Sequence, residues 1–300
     1  MEMFNKKIAK ERIGPLKKSK SLDILRDVEI YFLKQMKKFK TEVSYDVIAQ
    51  EMPYFKTLGY TEYATNFIIH PLNFEMRMRQ MQHAWEDNVE DALDFSAHLK
   101  KNIENKIANK YQDRKSKVDK YDKVGHLVVL AGSNKLKENV CLNKLKYIRD
   151  KHDTDVYFKP HPITTYAVIG ELKDILGEDR ILPRDIDMYH FLQNAHKVYT
   201  THMSESAIYS IALGKEIEPI DVYNKVHRGS FYHINRFLFE CQANEVDGNA
   251  WINRTFSSYK SGVFNPVIDK NWKSKLDSYL NYIHDEREKF TMWYVDTNEK

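Results

Sequence analysis

Two stretches of the chain concentrate groups able to hold a phosphate. The first, Asp155-Val-Tyr-Phe-Lys-Pro-His-Pro162, is a short apolar run that stops at proline and histidine and then opens a helix. The second, Lys197-Val-Tyr-Thr-Thr-His-Met-Ser-Glu-Ser206, is followed by Ala212-Leu-Gly-Lys215. An imidazole, short hydroxyls and the free N–H groups of a helix start are the means by which a protein stabilises charge growing on an oxygen. Pro160 and Pro162 stiffen the turn that aims His161, and Thr164 and Thr165 lie near the first turn of the next helix. In the second stretch Ser204 and Ser206 are the natural phosphate contacts, with Thr201 beside them. Each has a plainer alternative that the sequence leaves open. His161 also reads as a turn histidine bonded to backbone, and Ser204 as an N-cap, with Glu205 favourable in the first turn.

The elements that must position these groups alternate in type from Gly125 onward. Strands are expected at His126–Ala131, Asp155–Phe158, Arg180–Leu182, Lys197–Thr200 and Glu216–Val222. Helices are expected between them: from Gly132-Ser133-Asn134 to about Lys151, then Thr164–Leu176, Met188–Asn194 and Glu205–Leu213. Such alternation predicts βαβ units and a parallel sheet, a Rossmann-like domain over 124–225 of an α/β protein. Both turns then fall at the sheet edge where open α/β sheets bind ligands.

The flanks have another texture. Residues 1–123 read as a helix-rich domain ending in a basic linker. Leu25, Val28, Phe32, Met36 and Phe39 space an amphipathic helix over 17–39, Thr65–Pro71 is strand-like, and one long helix is expected from Phe74 to about Ala108. The linker, 109–123, is polar nearly throughout. Beyond Tyr223 the alternation stops. Residues 226–300 form an extension with one more amphipathic helix over Asp269–Phe290. His227, Arg228, Tyr232, His233, Asn235 and Arg236, set among aromatics, suit either a ligand-stacking segment or a packing loop.

With 42% hydrophobic residues, 13% aromatics and only 10 glycines among 300, the chain can bury a core and is neither disordered nor repetitive. No apolar run approaches the roughly 20 residues that span a bilayer, and Met1-Glu-Met-Phe-Asn-Lys-Lys lacks a signal-peptide core. A cytoplasmic location without a transmembrane segment is therefore expected. Cys141 and Cys241 lack metal-ligand spacing and read as free thiols. The net charge of +4 hides two basic windows. Residues 1–40 hold 12 Lys/Arg against 5 Asp/Glu, and residues 100–123 hold 9 against 4. They suit a nucleic acid or anionic surface, or simply two solvated helix faces.

Taken together, the strand–His-Pro–helix turn, the strand–Thr/Ser–helix turn and Gly214-Lys215 resemble the nucleotide-binding half of GT-B-type glycosyltransferases with an HP signature. The sialyl- and Kdo-type polysaccharide enzymes are examples. The resemblance covers about residues 125–223. It implies a GT-B-like fold with a C-terminal helix crossing back to the first domain. It also implies no cofactor, but a nucleotide sugar, UDP- or CMP-linked, as co-substrate. On this reading His161 is the catalytic stabiliser of the departing phosphate, Ser204, Ser206 and Thr201 bind that phosphate, and Lys159, Ser133, Asn134 and Arg228 are further donor or acceptor contacts. Many relatives carry a glutamate five residues before the glycine, where Tyr209 stands here.

The resemblance also implies an acidic or histidine general base on the acceptor side. Asp46, Glu51, Glu75, Glu86 and Asp87 qualify by type, and equally suit solvated helix faces. No metal is expected. Asp185-Ile-Asp187 follows Pro183-Arg184 and runs into a helix at Met188, so Asp187 reads as an N-cap. For the acceptor, the basic windows favour a hydroxymethylated pyrimidine, such as modified cytosine in double-stranded bacteriophage DNA, the enzyme then working in the host cytoplasm. The alternatives are a bacterial capsule or lipopolysaccharide glycosyltransferase, a nucleotide-sugar epimerase of the same fold, and a non-enzymatic nucleic-acid-binding protein.

Overall fold

The computed structural model describes residues 27, 31, 34–35, 54–58, 66–71, 74–105, 121, 124–131, 140, 142–161, 164–184, 186–223 and 231–298. The helix expected over 17–39 and the linker over 109–123 lie largely outside them.

The described chain opens with an antiparallel hairpin of β1 (Tyr54–Leu58) and β2 (Asn66–His70), pairing Tyr54 with His70 and Leu58 with Asn66. Two helices follow, α1 (Phe74–Glu86) and α2 (Phe95–Glu104), where a single helix was expected. The break has a local cause and a distant one. Asp94 Oδ1 accepts from Ala97 N at 2.8 Å and starts α2 as its N-cap. Asp87, just beyond α1, accepts from Ser258 Oγ at 2.6 Å and Lys260 Nζ at 2.7 Å, which turns the chain aside.

The central sheet is parallel and four-stranded: β3 (His126–Val129), β4 (Val156–Lys159), β5 (Lys197–Thr200) and β6 (Glu216–Pro219), in the order β4-β3-β5-β6. The intervening helices are α3 (Leu142–His152), α4 (Tyr166–Leu176), α5 (Met188–Asn194) and α6 (Ser206–Ala212). Side chains alternate between the faces, as strand geometry requires. Leu127, Val129 and Val198 enter one core, while Val128, Leu130, Phe158 and Tyr199 enter the other, under Leu145 of α3 and Leu172 of α4. The strand expected at Arg180–Leu182 reduces to a single bridge, Ile181 to Phe158. A 3₁₀ turn takes up Glu178–Arg180, and Pro183 has no N–H to extend the ladder.

Past β6 come α7 (Tyr232–Ala243), α8 (Gly248–Ser257), the two-residue strand β7 (Val263–Phe264) and α9 (Trp272–Asn298). Antiparallel to β2, β7 completes the small sheet β1-β2-β7. The first core runs through Met81 of α1, Leu99 of α2, the parallel sheet, Leu238 of α7 and Trp251 of α8. Along α9, Tyr279 OH bonds Gln80 Oε1 at 3.4 Å, and Tyr282 OH lies 2.9 Å from His83 Nδ1. Among the described residues no helix is long and apolar enough to cross a membrane.

Two predictions arise from this packing. Gly262, at φ +67°, closes the 3₁₀ turn Tyr259–Ser261, and Ile69 N donates to its carbonyl at 2.8 Å. A Cβ there would stand 2.1 Å from Ile69 O. Gly262→Ala is therefore expected to cost at least ~2 kcal/mol, read as a lowered denaturation midpoint. The second concerns Lys275 on α9, buried between the rings of Phe95 and Phe264 with its Nζ donating to Phe256 O. Burial pulls its pKa down to about 7 from the ordinary 10.5, opposed by Asp269. Between those values the unfolded chain binds more protons, so stability rises with pH, by up to about 1.4 kcal/mol per pH unit, and this contribution is flat below the window. Lys275→Met should lose that slope when urea midpoints are compared at pH 7 and pH 9.

Candidate functional site

In the strand order β4-β3-β5-β6 the chain leaves β3 to one side for β4 and returns on the other side as β5. The carboxyl end of β3 is thus a topological switch point, the crevice where sheets of this kind take ligands. The turn after β4 carries His161 and the turn after β5 carries Ser204. Two strand spacings separate them, about 10 Å.

The first turn is braced from below. Lys159 ends β4 almost fully buried, and its Nζ donates to Pro160 O at 2.7 Å and Arg184 O at 2.9 Å. Its ammonium therefore ties two carbonyls together. Half-buried His161 follows, and its carbonyl accepts from Thr164 N at 2.9 Å. Thr165, the N-cap of α4, makes no side-chain capping bond. Arg184 donates to Thr164 O at 2.9 Å and lies 4.1 Å over the ring of Tyr166, which is 74% exposed at the start of α4.

The second turn is built on hydroxyls. Ser206 Oγ lies 2.7 Å from both Thr200 Oγ1 and Ser204 Oγ, and Ser204 Oγ accepts from Ser206 N at 3.2 Å. Ser206 and Thr201 are fully buried, whereas Ser204 reaches the surface. Ser204 Oγ thus accepts from the first N–H of α6, whose N-cap is Glu205 and not Ser204 as expected, and Ser204 is itself half-exposed. The hydroxyls of Thr164 and Thr201, one in each turn, are buried without a hydrogen bond among the described residues. Buried polar atoms of this kind are commonly completed by water, and Asn102 and Thr255 elsewhere also hold such atoms. Behind the turn, Gly214 takes φ +70° and Lys215 N donates to Ser210 O at 2.9 Å, closing α6 with a left-handed residue. Lys215 Nζ donates to Gln193 O at 2.7 Å, and burial lowers its pKa. Tyr209 packs edge-on to Tyr189 at 5.1 Å, and burial raises both phenols.

One group at this edge was not singled out from the sequence. His202 Nδ1 lies 2.8 Å from Asp221 Oδ1, and His202 N donates to the same carboxylate at 3.0 and 3.2 Å. Asn235 Nδ2 of α7 donates to His202 O at 2.8 Å and Ser204 O at 2.6 Å. The available signal was a polar residue two positions beyond each strand end, Thr200 and Pro219. Tyr223 touches His202 at 5.3 Å, stacks on Tyr232 at 5.0 Å and meets Phe74 of α1 at 5.6 Å. Arg236 covers Tyr223 at 4.4 Å. Next to this junction His70, ending β2, meets His233 of α7 at 4.9 Å. Burial, with His70 and Arg77 nearby, lowers the His233 pKa well below the ordinary range. Tyr232, His233 and Asn235 are thus packed within the protein.

Ser133, Asn134, Arg228, His227, Asp46, Glu51 and Asp185 lie outside the described residues. Glu75 and Glu86 are exposed on α1, and Asp87 is engaged by Ser258 and Lys260. Asp187 caps α5, accepting from Tyr189 N at 3.0 Å. No group of three His, Cys, Asp or Glu stands together among the described residues. The stacked pair His126 and His152, 3.6 Å apart, sits at the amino edge of the sheet, away from both turns.

No family model and no curated protein matches the chain. Among solved structures it is similar to Thermosulfurimonas dismutans KpsC, a beta Kdo 2,7 transferase, at a TM-score of 0.32 and 16% identity, covering 57% of this chain. The match spans 61% of that chain, a partial overlap.

The hydroxyl network yields a stability prediction. Ser206→Ala leaves Thr200 and Ser204 without their shared partner and is expected to cost about 1–3 kcal/mol, measured by thermal denaturation.

Proposed function

We propose that the chain is a glycosyltransferase that moves a sugar from a UDP- or CMP-linked donor to a hydroxyl of a saccharide acceptor of the capsule or lipopolysaccharide kind. The observation that supports this reading is the pair of turns flanking the switch point at β3, one with His161 and the other with Ser204. These are the turns on which the sequence resembles HP-type glycosyltransferases. On this reading the fold is GT-B-like, with a donor domain over 124–225, an acceptor-side unit over 1–123 and an extension over 226–300.

The donor phosphate lies across the end of β3. His161 and the N-terminus of α4 face it from one side, and the Ser204 hydroxyl faces it from the other. As the bond between anomeric carbon and phosphate oxygen lengthens, negative charge collects on that oxygen, and these fixed dipoles stabilise it without reorganising. Lys159 and Ser206 act beneath them, holding the turns in shape. Modified cytosine in DNA was the acceptor favoured from the sequence. Its ground, the basic windows at 1–40 and 100–123, lies largely outside the described residues, and no described element adds to it. The saccharide acceptor is the reading retained.

Thermal shifts with UDP and CMP test the donor site first, and turnover of the corresponding sugar nucleotides tests the residues. His161→Ala is expected to lower turnover by about 10²-fold or more with little change in stability. Unchanged turnover with a lowered melting temperature would make His161 a structural turn residue. Binding of neither nucleotide would overturn the donor reading itself.

A further inference from the structure

His202 is held more firmly than packing alone requires. Its backbone N–H and Nδ1 both engage Asp221, and its carbonyl is tied by Asn235. Its ring is bounded by Phe239 at 4.8 Å, Tyr232 at 5.1 Å and Tyr223 at 5.3 Å. A carboxylate only accepts, so Nδ1 carries a proton, and in the neutral ring Nε2 presents a lone pair. Among the described residues Nε2 makes no hydrogen bond. The Asp221 side chain is 1% exposed, and a carboxylate buried this deeply is costly unless well partnered. A neutral side chain would serve equally well to hold one backbone N–H. The carboxylate adds a fixed tautomer.

The position of the pair matches that chemistry. His202 lies in the turn after β5 and His161 in the turn after β4, with the end of β3 between them. With the phosphate held between His161 and Ser204, His202 stands two residues before Ser204 on the side of Tyr223 and α1, where the sugar and the incoming hydroxyl would lie. Through Tyr223, which touches Phe74 of α1, His202 also stands where the sheet edge meets the N-terminal unit. Of the carboxylates considered for this role, Asp46 and Glu51 lie outside the described residues, Glu75 and Glu86 are exposed on α1 and Asp87 is bonded elsewhere.

We propose that His202, positioned by Asp221, is the base that takes the proton from the acceptor hydroxyl. The proposal rests on the donor reading above. As the hydroxyl oxygen bonds to the anomeric carbon, its proton passes to Nε2. The bond from that carbon to the phosphate oxygen breaks, and its electron pair leaves on the nucleotide. The products are a glycoside of inverted configuration and a nucleoside phosphate, and the imidazolium returns its proton to solvent. Asp221 is a positioning residue, acting only through the ring.

The test compares wild type, His202→Gln and Asp221→Asn in the full chain. Calorimetry with UDP and CMP reads the donor site. Nucleotide release from UDP-glucose and CMP-N-acetylneuraminate, with water and added saccharides as acceptors, reads chemistry. Nucleotide affinity and donor KM are expected to stay within about 2-fold while kcat falls by about 10²-fold or more in both variants. Asp221→Asn belongs with His202→Gln because a neutral amide no longer stabilises the imidazolium that forms as Nε2 takes the proton. Being isosteric, it also carries the test if His202→Gln does not fold. Intact nucleotide binding with kcat retained in either folded variant overturns the base and leaves the donor reading standing. A wild type that binds neither nucleotide overturns both.

Discussion

The register between β5 and β6 is the constraint on which the candidate site depends. Parallel pairing sets Thr200 opposite Pro219, and Ile220 N donates to Thr200 O at 3.0 Å. Two residues further on, the same register brings His202 level with Asp221. A slip of one residue would turn every side chain of the strand to the opposite face and separate the two groups. Burial on both faces forbids the slip, because Val198 and Ile217 fill one core while Tyr199 fills the other. The packing of apolar side chains thus sets the distance between two polar ones.

Around that register the carboxyl edge accumulates buried polar atoms in linked sets. Thr200, Ser206 and Ser204 share one chain of hydroxyls, Lys159 joins the carbonyls of Pro160 and Arg184, and Asp221 with Asn235 encloses the backbone of His202. Such networks stabilise only when nearly every member is satisfied, and then they hold a single geometry. The exceptions in these sets among the described residues are the hydroxyls of Thr164 and Thr201, one in each turn, and Asn235 Oδ1. Rigid turns with a few unfilled bonds are the condition under which a ligand is bound without reorganising the protein.

The two ends of the described chain are interlocked. β7 adds to the β1–β2 hairpin from a point nearly two hundred residues later, and Gly262 fits there because no Cβ competes with Ile69 O. α1 lies against α9, with His83 and Gln80 reaching Tyr282 and Tyr279. The N-terminal elements are therefore held against the parallel sheet by the C-terminal ones. The aromatic contact of Phe74, Tyr223 and His202 sits where the three meet.

The local pieces can be read from neighbouring residues alone. Apolar runs bounded by turn residues mark β3 to β6, Asp187 announces the start of α5, and the His-Pro and Ser/Thr turns identify where polar groups gather. These features are legible because each depends on neighbours a few residues away: side-chain period, caps and proline. Tertiary structure decided the rest. It ended α1 at Glu86 through the bonds of Asp87 to Ser258 and Lys260, and it reduced Arg180–Leu182 to one bridge. It also recruited the two-residue β7, too short to carry a period. Most of all it paired His202 with Asp221. Nineteen residues separate them, and the one local trace of the contact is a polar residue two positions beyond each strand end. It arises because parallel strands joined by a helix end side by side, so residues distant along the chain become neighbours at one edge.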